Sequence, residues 1–263
     1  MVRLGIMQGR LGRRPPDRLQ VFPSDWRREL EVAASLGFEF LEWLLLPTAD
    51  GENPLDSATG RREVRRRSEQ AGLPIGSVCA ARFMDEPLAG LPVAVAAAAE
   101  VGAARVLVPL LERARIDTPE REGQVLAVLA ACLGECDRAG VTLALELDLP
   151  GDACARLVRR CDHPRVRACY DAGNSTALGL DIAADVEPVL PLLAEVHVKD
   201  RYVGGPSVPV GSGDAGFAGF FAALRRGGYA GDVVLEHFFE SDPVGEAARA
   251  RDFVRRHLES AAS

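Results

Sequence analysis

The chain has 263 residues, 48% hydrophobic and 26% charged, with a net charge of −7 and a pI near 5.3. That composition suits a globular domain with a sizeable core, and its acidic balance argues against nucleic acid or an anionic membrane as the main partner. No apolar run reaches the length of a membrane span and MVRLGIMQGR lacks the long apolar core of a signal peptide, so a cytoplasmic protein is expected.

Short β-rich runs punctuate the chain from end to end. VRLGIM from Val2 comes first, then an irregular stretch from Gly9 to Pro23 and a helical pattern over Asp25–Leu36 behind Ser24 as cap. FEFLEW from Phe38 precedes a helix over Ala58–Ala71, PIGSVC from Pro74 precedes one over Leu91–Val101, and ARVLVPL from Ala104 precedes one over Thr118–Ala139. VTLALELD from Val141 leads to a helix over Gly151–Cys161, and VRACYD from Val166 follows it. LAEVHVKD from Leu193 leads through a second irregular stretch, Val203–Gly216, to a helix over Phe217–Arg226; DVVLEHF from Asp232 and a charged final helix end the pattern. ASLGF, EQAGLP, DRAGV and RRGGYAG supply helix stops. Strand starts fall 25 to 39 residues apart, one βα unit each. Eight such units predict a single-domain (β/α)8 TIM barrel over residues 1–263, with its site at the C-terminal strand ends. A doubly wound sheet is the alternative, but no glycine-rich phosphate loop follows the first strand. The two irregular stretches follow strand ends and are expected to cover substrate or to be plain surface loops.

The six cysteines (79, 132, 136, 154, 161 and 169) form no CxxC and sit mostly in apolar contexts, which predicts buried free thiols. Among 31 basic residues Lys199 is the only lysine, which marks it for a task that needs a compact ammonium with a tunable pKa.

Side chains alternate across a strand, so Val196 and Val198 share one face while Glu195, His197 and Lys199 share the other. By the same parity Glu146 opposes Leu143, Leu145 and Leu147, Asp171 opposes Val166, Ala168 and Tyr170, and Glu236 opposes Val233 and Leu235. In a barrel these four, Glu146, Asp171, His197 and Glu236, converge inside near the rim. Three carboxylates in one pocket need a neutralising cation, and one imidazole with three carboxylates and no thiolate suits a divalent ion. Mn2+, Mg2+ or Co2+ suits that donor set better than a structural zinc, with Zn2+ still compatible.

The ordered set ELD at 146, YDAGN at 170, HVKD at 197, PVGSGD at 209 and VLEH at 234 resembles the xylose-isomerase-like barrels of the sugar phosphate isomerase/epimerase superfamily. GIMQGRL and the segment from NPL to SVCAARFM look like one subgroup of it. The resemblance to its ketose 3-epimerases implies that Glu146, Asp171, His197 and Glu236 bind one Mn2+-like ion and that the two glutamates also exchange protons with the sugar. One departure stands at the third position after the metal aspartate, where ketose 3-epimerases often have histidine and this chain has Asn174.

The function so implied is metal-dependent isomerisation or epimerisation of a sugar or sugar phosphate through a cis-enediolate, with Glu146 and Glu236 as acid and base on opposite faces of the carbon. Lys199 would hold developing negative charge or an anionic group of the substrate. Gln8, Arg10 and Asn174 are candidate hydroxyl or anion contacts. Arg82, Arg113, Arg115 and Arg201 follow strand ends as phosphate candidates, each of which is otherwise a solvated charge. Glu42 is expected to support the site rather than act in it, His237 to be packed or at the rim, and His163 and His257 to lie away from it. Phe22 and Trp26 are candidates for closing the first loop over substrate or for core packing.

Rival readings share parts of this pattern. A dehydratase or lyase of a cyclic polyol or keto acid would use the same metal site, and a non-catalytic sugar-binding barrel would look the same in sequence. An abasic-site endonuclease needs more histidines than the four present, and a Schiff-base aldolase leaves the four ligands unexplained. A homo-oligomer is compatible with the sequence.

Overall fold

Alternating side chains leave each β-rich run with two buried faces, a condition met when strands close into a barrel ringed by helices. The computed structural model describes residues 2–13, 20–46, 53–81, 90–238 and 241–259. Its strands are β1 (Arg3–Met7), β2 (Leu41–Leu44), β3 (Ile75–Cys79), β4 (Arg105–Leu110), β5 (Thr142–Leu147), β6 (Val166–Asp171) and β7 (Leu193–Val198). A two-stranded antiparallel ribbon, β8 (Asp200–Arg201) with β9 (Ser207–Val208), then precedes β10 (Asp232–Leu235). The closed order is β1-β10-β7-β6-β5-β4-β3-β2, all parallel. This is the (β/α)8 TIM barrel that the spacing predicts.

The helices are α1 (Trp26–Ser35), α2 (Ala58–Ala71), α3 (Leu91–Val101), α4 (Pro119–Ala139), α5 (Gly151–Arg160), α6 (Ala172–Ala177), α7 (Ile182–Asp185), α8 (Phe217–Arg226) and α9 (Pro243–Glu259). The cap of α1 is Asp25 and not Ser24, because the helix starts one residue later and the Asp25 carboxylate accepts from Arg28 N at 3.1 Å. Two short helices, α6 and α7, stand between β6 and β7 where no helical period is legible. Gly72 and Gly140 end α2 and α4 in the left-handed region, at φ 64° and 69°, a conformation that costs glycine nothing.

The predicted parity separates two apolar layers. Leu143, Leu145, Ala168, Tyr170, Val196, Val198, Val233 and Leu235 pack outward into the helix-facing core, whereas Met7, Phe40, Leu44, Cys79, Leu107, Ala144, Cys169 and Val234 fill the barrel interior. Phe40 plugs the lower interior between Gly5 and Gly76. A Cβ at Gly5 would lie 2.5 Å from its ring and one at Gly76 2.4 Å, so alanine at either position forces the plug to move. All six cysteines are free, five of them buried and Cys161 partly so.

Around the plug, below the level of the strand ends, the strands carry an ion-pair floor, with the Arg3 and Arg105 guanidiniums 5.2 and 6.0 Å from the Phe40 ring. Register sets Asp232 beside Arg3 and Glu195. Arg3 grips the Asp232 carboxylate with two hydrogen bonds, 2.8 and 2.6 Å, while Arg105 donates to Asp232 and, at 2.9 Å, to Glu195.

Candidate active site and metal centre

The upper ends of β5, β6, β7 and β10 deliver Glu146, Asp171, His197 and Glu236 to one place. Each offers a ligand atom, and these atoms all lie within 4.8 Å of one another. All four side chains are buried. Asp171 is paired in register with His197, which sets those two side by side. The carboxylates of Glu146, Asp171 and Glu236 crowd one another: burial and the Glu236 charge push Glu146 up to about 8, and burial raises Asp171 as well. Burial would raise Glu236 too, but Lys199, His197 and Arg10 hold it well below the usual carboxylate range.

Lys199 enters this cluster directly. Its Nζ lies 2.7 Å from Asp171 Oδ2 and 2.9 Å from Glu236 Oε2. Burial opposes its charge, yet Asp171, Glu236 and Glu146 raise its pKa well above the ordinary value. The stem passes over Gly173, where a Cβ would stand 2.4 Å from Lys199 Cγ, so Gly173 makes room for the lysine. The three carboxylates therefore face one ammonium and one imidazole. An oxygen-rich donor set with a single nitrogen and no thiolate fits a hard divalent ion such as Mg2+ or Mn2+. Cys79 and Cys169 sit nearby, but burial pushes both thiols far up, which keeps them protonated.

The cluster opens into a cavity of about 770 Å3 lined by Arg10, Asn174, Lys199, Arg201, Ser207 and His237 among others. Asn174 Nδ2 donates to Glu146 Oε1 at 3.0 Å, and Arg201 reaches Asn174 Oδ1 at 3.3 Å, so the amide links Glu146 to a guanidinium at the wall. Asn174 N also donates to the Asp171 carboxylate at 2.8 Å, so that Asp171 caps the start of α6. Arg10 is fully buried and fixed by the Glu236 carbonyl, Gln20 Oε1 and the face of Phe238; burial lowers its pKa to about 10. Gln8 is placed differently: it is buried, its Oε1 accepts from Leu44 N at 3.0 Å, and it is not among the residues that line the cavity. Arg113 and Arg115 do not line it either, Arg115 pairing with Asp148 at 3.1 Å, while Arg82 lies outside the described residues, as do residues 14–19 of the first irregular stretch.

Glu42 is buried beside the cluster, with Ser77 Oγ donating to its Oε2 at 2.7 Å; burial pushes it up to about 7. Phe22 and Trp26 pack edge-on against Trp43 at 5.6 and 5.3 Å between centroids, in the core and not over the cavity. His163 lies near Asp137, and His257 packs against Phe253. Asp200 is a residue that the sequence reading did not single out. Its buried carboxylate accepts from the backbone N–H groups of Arg201, Gly211, Gly213 and Ala215 at 2.8 to 3.2 Å, which pins the second irregular stretch as a cavity wall. A polar residue directly after Lys199, followed by the glycine-rich PVGSGD, is the signal for such a pin.

Known proteins share this architecture. L-ribulose-5-phosphate 3-epimerase UlaE of Escherichia fergusonii is 28% identical, the match covering 90% of this chain and 91% of that protein. A xylose isomerase domain protein from Planctomyces limnophilus superposes with a TM-score of 0.79 at 16% identity, covering 99% of both chains. D-psicose 3-epimerase from Clostridium cellulolyticum H10, solved with D-tagatose, gives 0.76 at 18% identity, covering 98% of this chain and 100% of that one. At such identities the two structures speak to the fold. The sequence profile of the xylose isomerase-like TIM barrel matches residues 30–257, spanning the barrel from α1 to α9, and the chain therefore belongs to that family.

Proposed function

We propose that the chain is a divalent-metal-dependent epimerase of a ketose or ketose phosphate, with Mn2+ as the expected ion. The observation that carries this reading is the convergence of Glu146, Asp171, His197 and Glu236 within 4.8 Å at the mouth of a sugar-sized cavity. The 28% identity with an L-ribulose-5-phosphate 3-epimerase over 90% of the chain points the same way.

Those four residues would hold the ion, which when bound supplies the Lewis acidity that makes the hydrogen beside a substrate carbonyl removable. Glu146 on β5 and Glu236 after β10 are separated around the wall by β6 and β7. From those two directions one carboxylate takes the carbon-bound proton and the other returns one to the opposite face. Lys199, already in contact with Glu236, holds negative charge that develops on the substrate oxygen. Asn174 orients Glu146 through its amide, and Arg201 beyond it, with Arg10, supplies cationic groups at the wall for hydroxyl or phosphate oxygens.

The test is incubation of the Mn2+-loaded protein with L-ribulose 5-phosphate and with free ketoses in D2O. Carbon-bound deuterium together with the 3-epimer is the expected product. Loss of water from the substrate would move the reading to a dehydratase on the same site, and sugar binding without exchange would make the chain a binding barrel.

A further inference from the structure

The interior below the metal centre holds three buried polar atoms crowded together, with the Cys169 thiol beside two of them. Glu42 Oε1 and Glu195 Oε1 each lie 3.4 Å from His197 Nε2, and none of the three has a hydrogen-bond partner among the described residues. The second oxygen of each carboxylate is already engaged. Ser77 Oγ donates to Glu42 Oε2 at 2.7 Å, and Arg105 Nε donates to Glu195 Oε2 at 2.9 Å. His197 Nδ1 faces the other way, 3.2 Å from Glu236 Oε2 in the ligand cluster.

We infer that Glu42 and Glu195 are positioning residues that jointly accept the Nε2 proton of His197 and so reserve Nδ1 as the nitrogen that meets the metal. The inference rests on the metal-centre reading above. The two ring nitrogens of a ligating histidine take their roles from the bond that the non-ligating one makes. Here that bond has two acceptors, and Arg105 ties one of them to the ion-pair floor. The metal centre is thereby braced from the opposite end of the barrel, through Arg105, Glu195 and His197. A rival use of the same atoms exists, since Cys169, Glu195 and His197 also offer ligand atoms within 4.8 Å of one another. The Arg105 guanidinium on Glu195 argues against a second dication there.

The two carboxylates are not equivalent. Ser77 Oγ is a hydroxyl that turns to accept from an amide, so Glu42→Gln keeps an oxygen for His197. Glu195 faces obligate donors on both sides, Arg105 and His197, and an amide has only one oxygen to serve them. Glu195→Gln therefore disrupts the bond more than Glu42→Gln does.

The experiment is long-range 15N–1H NMR of the full-length protein with 15N-labelled histidine, alone and titrated with Mg2+, with only four imidazoles to assign. The expected result is a slowly exchanging proton on His197 Nε2 throughout, with Nδ1 the nitrogen whose resonance moves as Mg2+ binds. Glu195→Gln should weaken Mg2+ binding by roughly 10- to 100-fold, and Glu42→Gln by clearly less. A response to Mg2+ at Nε2, or no proton there, overturns the inference and leaves the metal centre standing; so does a Glu195→Gln protein that folds and binds Mg2+ as tightly as wild type. No response at any His197 nitrogen overturns the metal-centre reading together with the ligand assignment, while the Nε2 proton is still read from the protein alone. The wild-type spectra decide the matter even if neither variant folds.

Discussion

The two ends of the barrel interior use the same residue types to opposite effect. At the floor, Glu195 and Asp232 are matched by Arg3 and Arg105 through short, multiple hydrogen bonds, and Arg105 holds Glu195 down at about 2 against the pull of burial. At the rim, Glu146, Asp171 and Glu236 face only Lys199 and His197 from within the cluster, with Arg10 3.6 Å from one oxygen of Glu236. A balanced network locks strands together; an under-neutralised one keeps a place for a cation and leaves carboxylates able to exchange protons. On the proposed function, charge balance separates the end that stabilises from the end that reacts.

If that contrast is right, the largest effect on activity belongs to the rim. Glu146→Gln and Glu236→Gln should each lower turnover by about 10²–10⁴-fold, since an amide is a poor base that still offers an oxygen, and melting temperatures should barely change. Solvent-deuterium exchange would sharpen this, because each variant should retain exchange into only one of the two epimers. Should either variant keep full turnover, that glutamate is a ligand alone, and the two-sided proton exchange is wrong.

The floor should fail in the other way. Arg105→Met strips the guanidinium from two buried carboxylates and should cost about 3–5 kcal/mol of stability in urea or thermal unfolding. An unfolding curve close to wild type would show the floor to be redundant.

Lys199→Arg tests whether the rim needs a compact ammonium as well as a charge. The wider guanidinium does not fit between Asp171, Glu236 and the surface of Gly173, and kcat/KM should fall by roughly tenfold or more, above about 1.4 kcal/mol. Gly173→Ala should disturb the same contact through packing, costing about 1–3 kcal/mol of stability as its methyl meets the Lys199 stem and carbonyl.

The smallest effect lies outside both ends. Glu29 is buried and accepts from Gly9 N and Leu11 N, and burial raises it from 4.5 to about 7. A carboxyl whose folded pKa lies above its unfolded one binds its proton more tightly when folded, so its contribution to stability falls as pH rises from about 4.5 to about 7. Glu29→Gln keeps an acceptor oxygen and should flatten that fall; stability relative to wild type should improve more at pH 8 than at pH 5. Parallel pH profiles would contradict this.

Much of this arrangement is legible in the sequence because a strand's period of two is unforgiving. Once VTLALELD, VRACYD, LAEVHVKD and DVVLEHF are strands in a barrel, parity alone sends Glu146, Asp171, His197 and Glu236 inward, and the structure brings those four together. Lys199 stands out as the only lysine. What stayed hidden depends on contacts distant in sequence. Nothing local to Arg105 says that it meets Asp232, and nothing near Glu42 says which of its oxygens turns to His197. The placement of Gln8 against Leu44 N depends on the offset of β1 against β2, and the pinning of residues 201–215 by Asp200 depends on a loop with no period to read. The short helices α6 and α7 span too few residues to show a helical period.

The central claim is that the rim, and not the floor, is the cation's place. Anomalous diffraction from crystals of the protein grown with Mn2+ tests it most directly. One peak is predicted, within roughly 2.0–2.6 Å of oxygens of Glu146, Asp171 and Glu236 and close to His197. No peak there, or a peak among Glu195, Asp232 and Cys169 instead, would contradict the account.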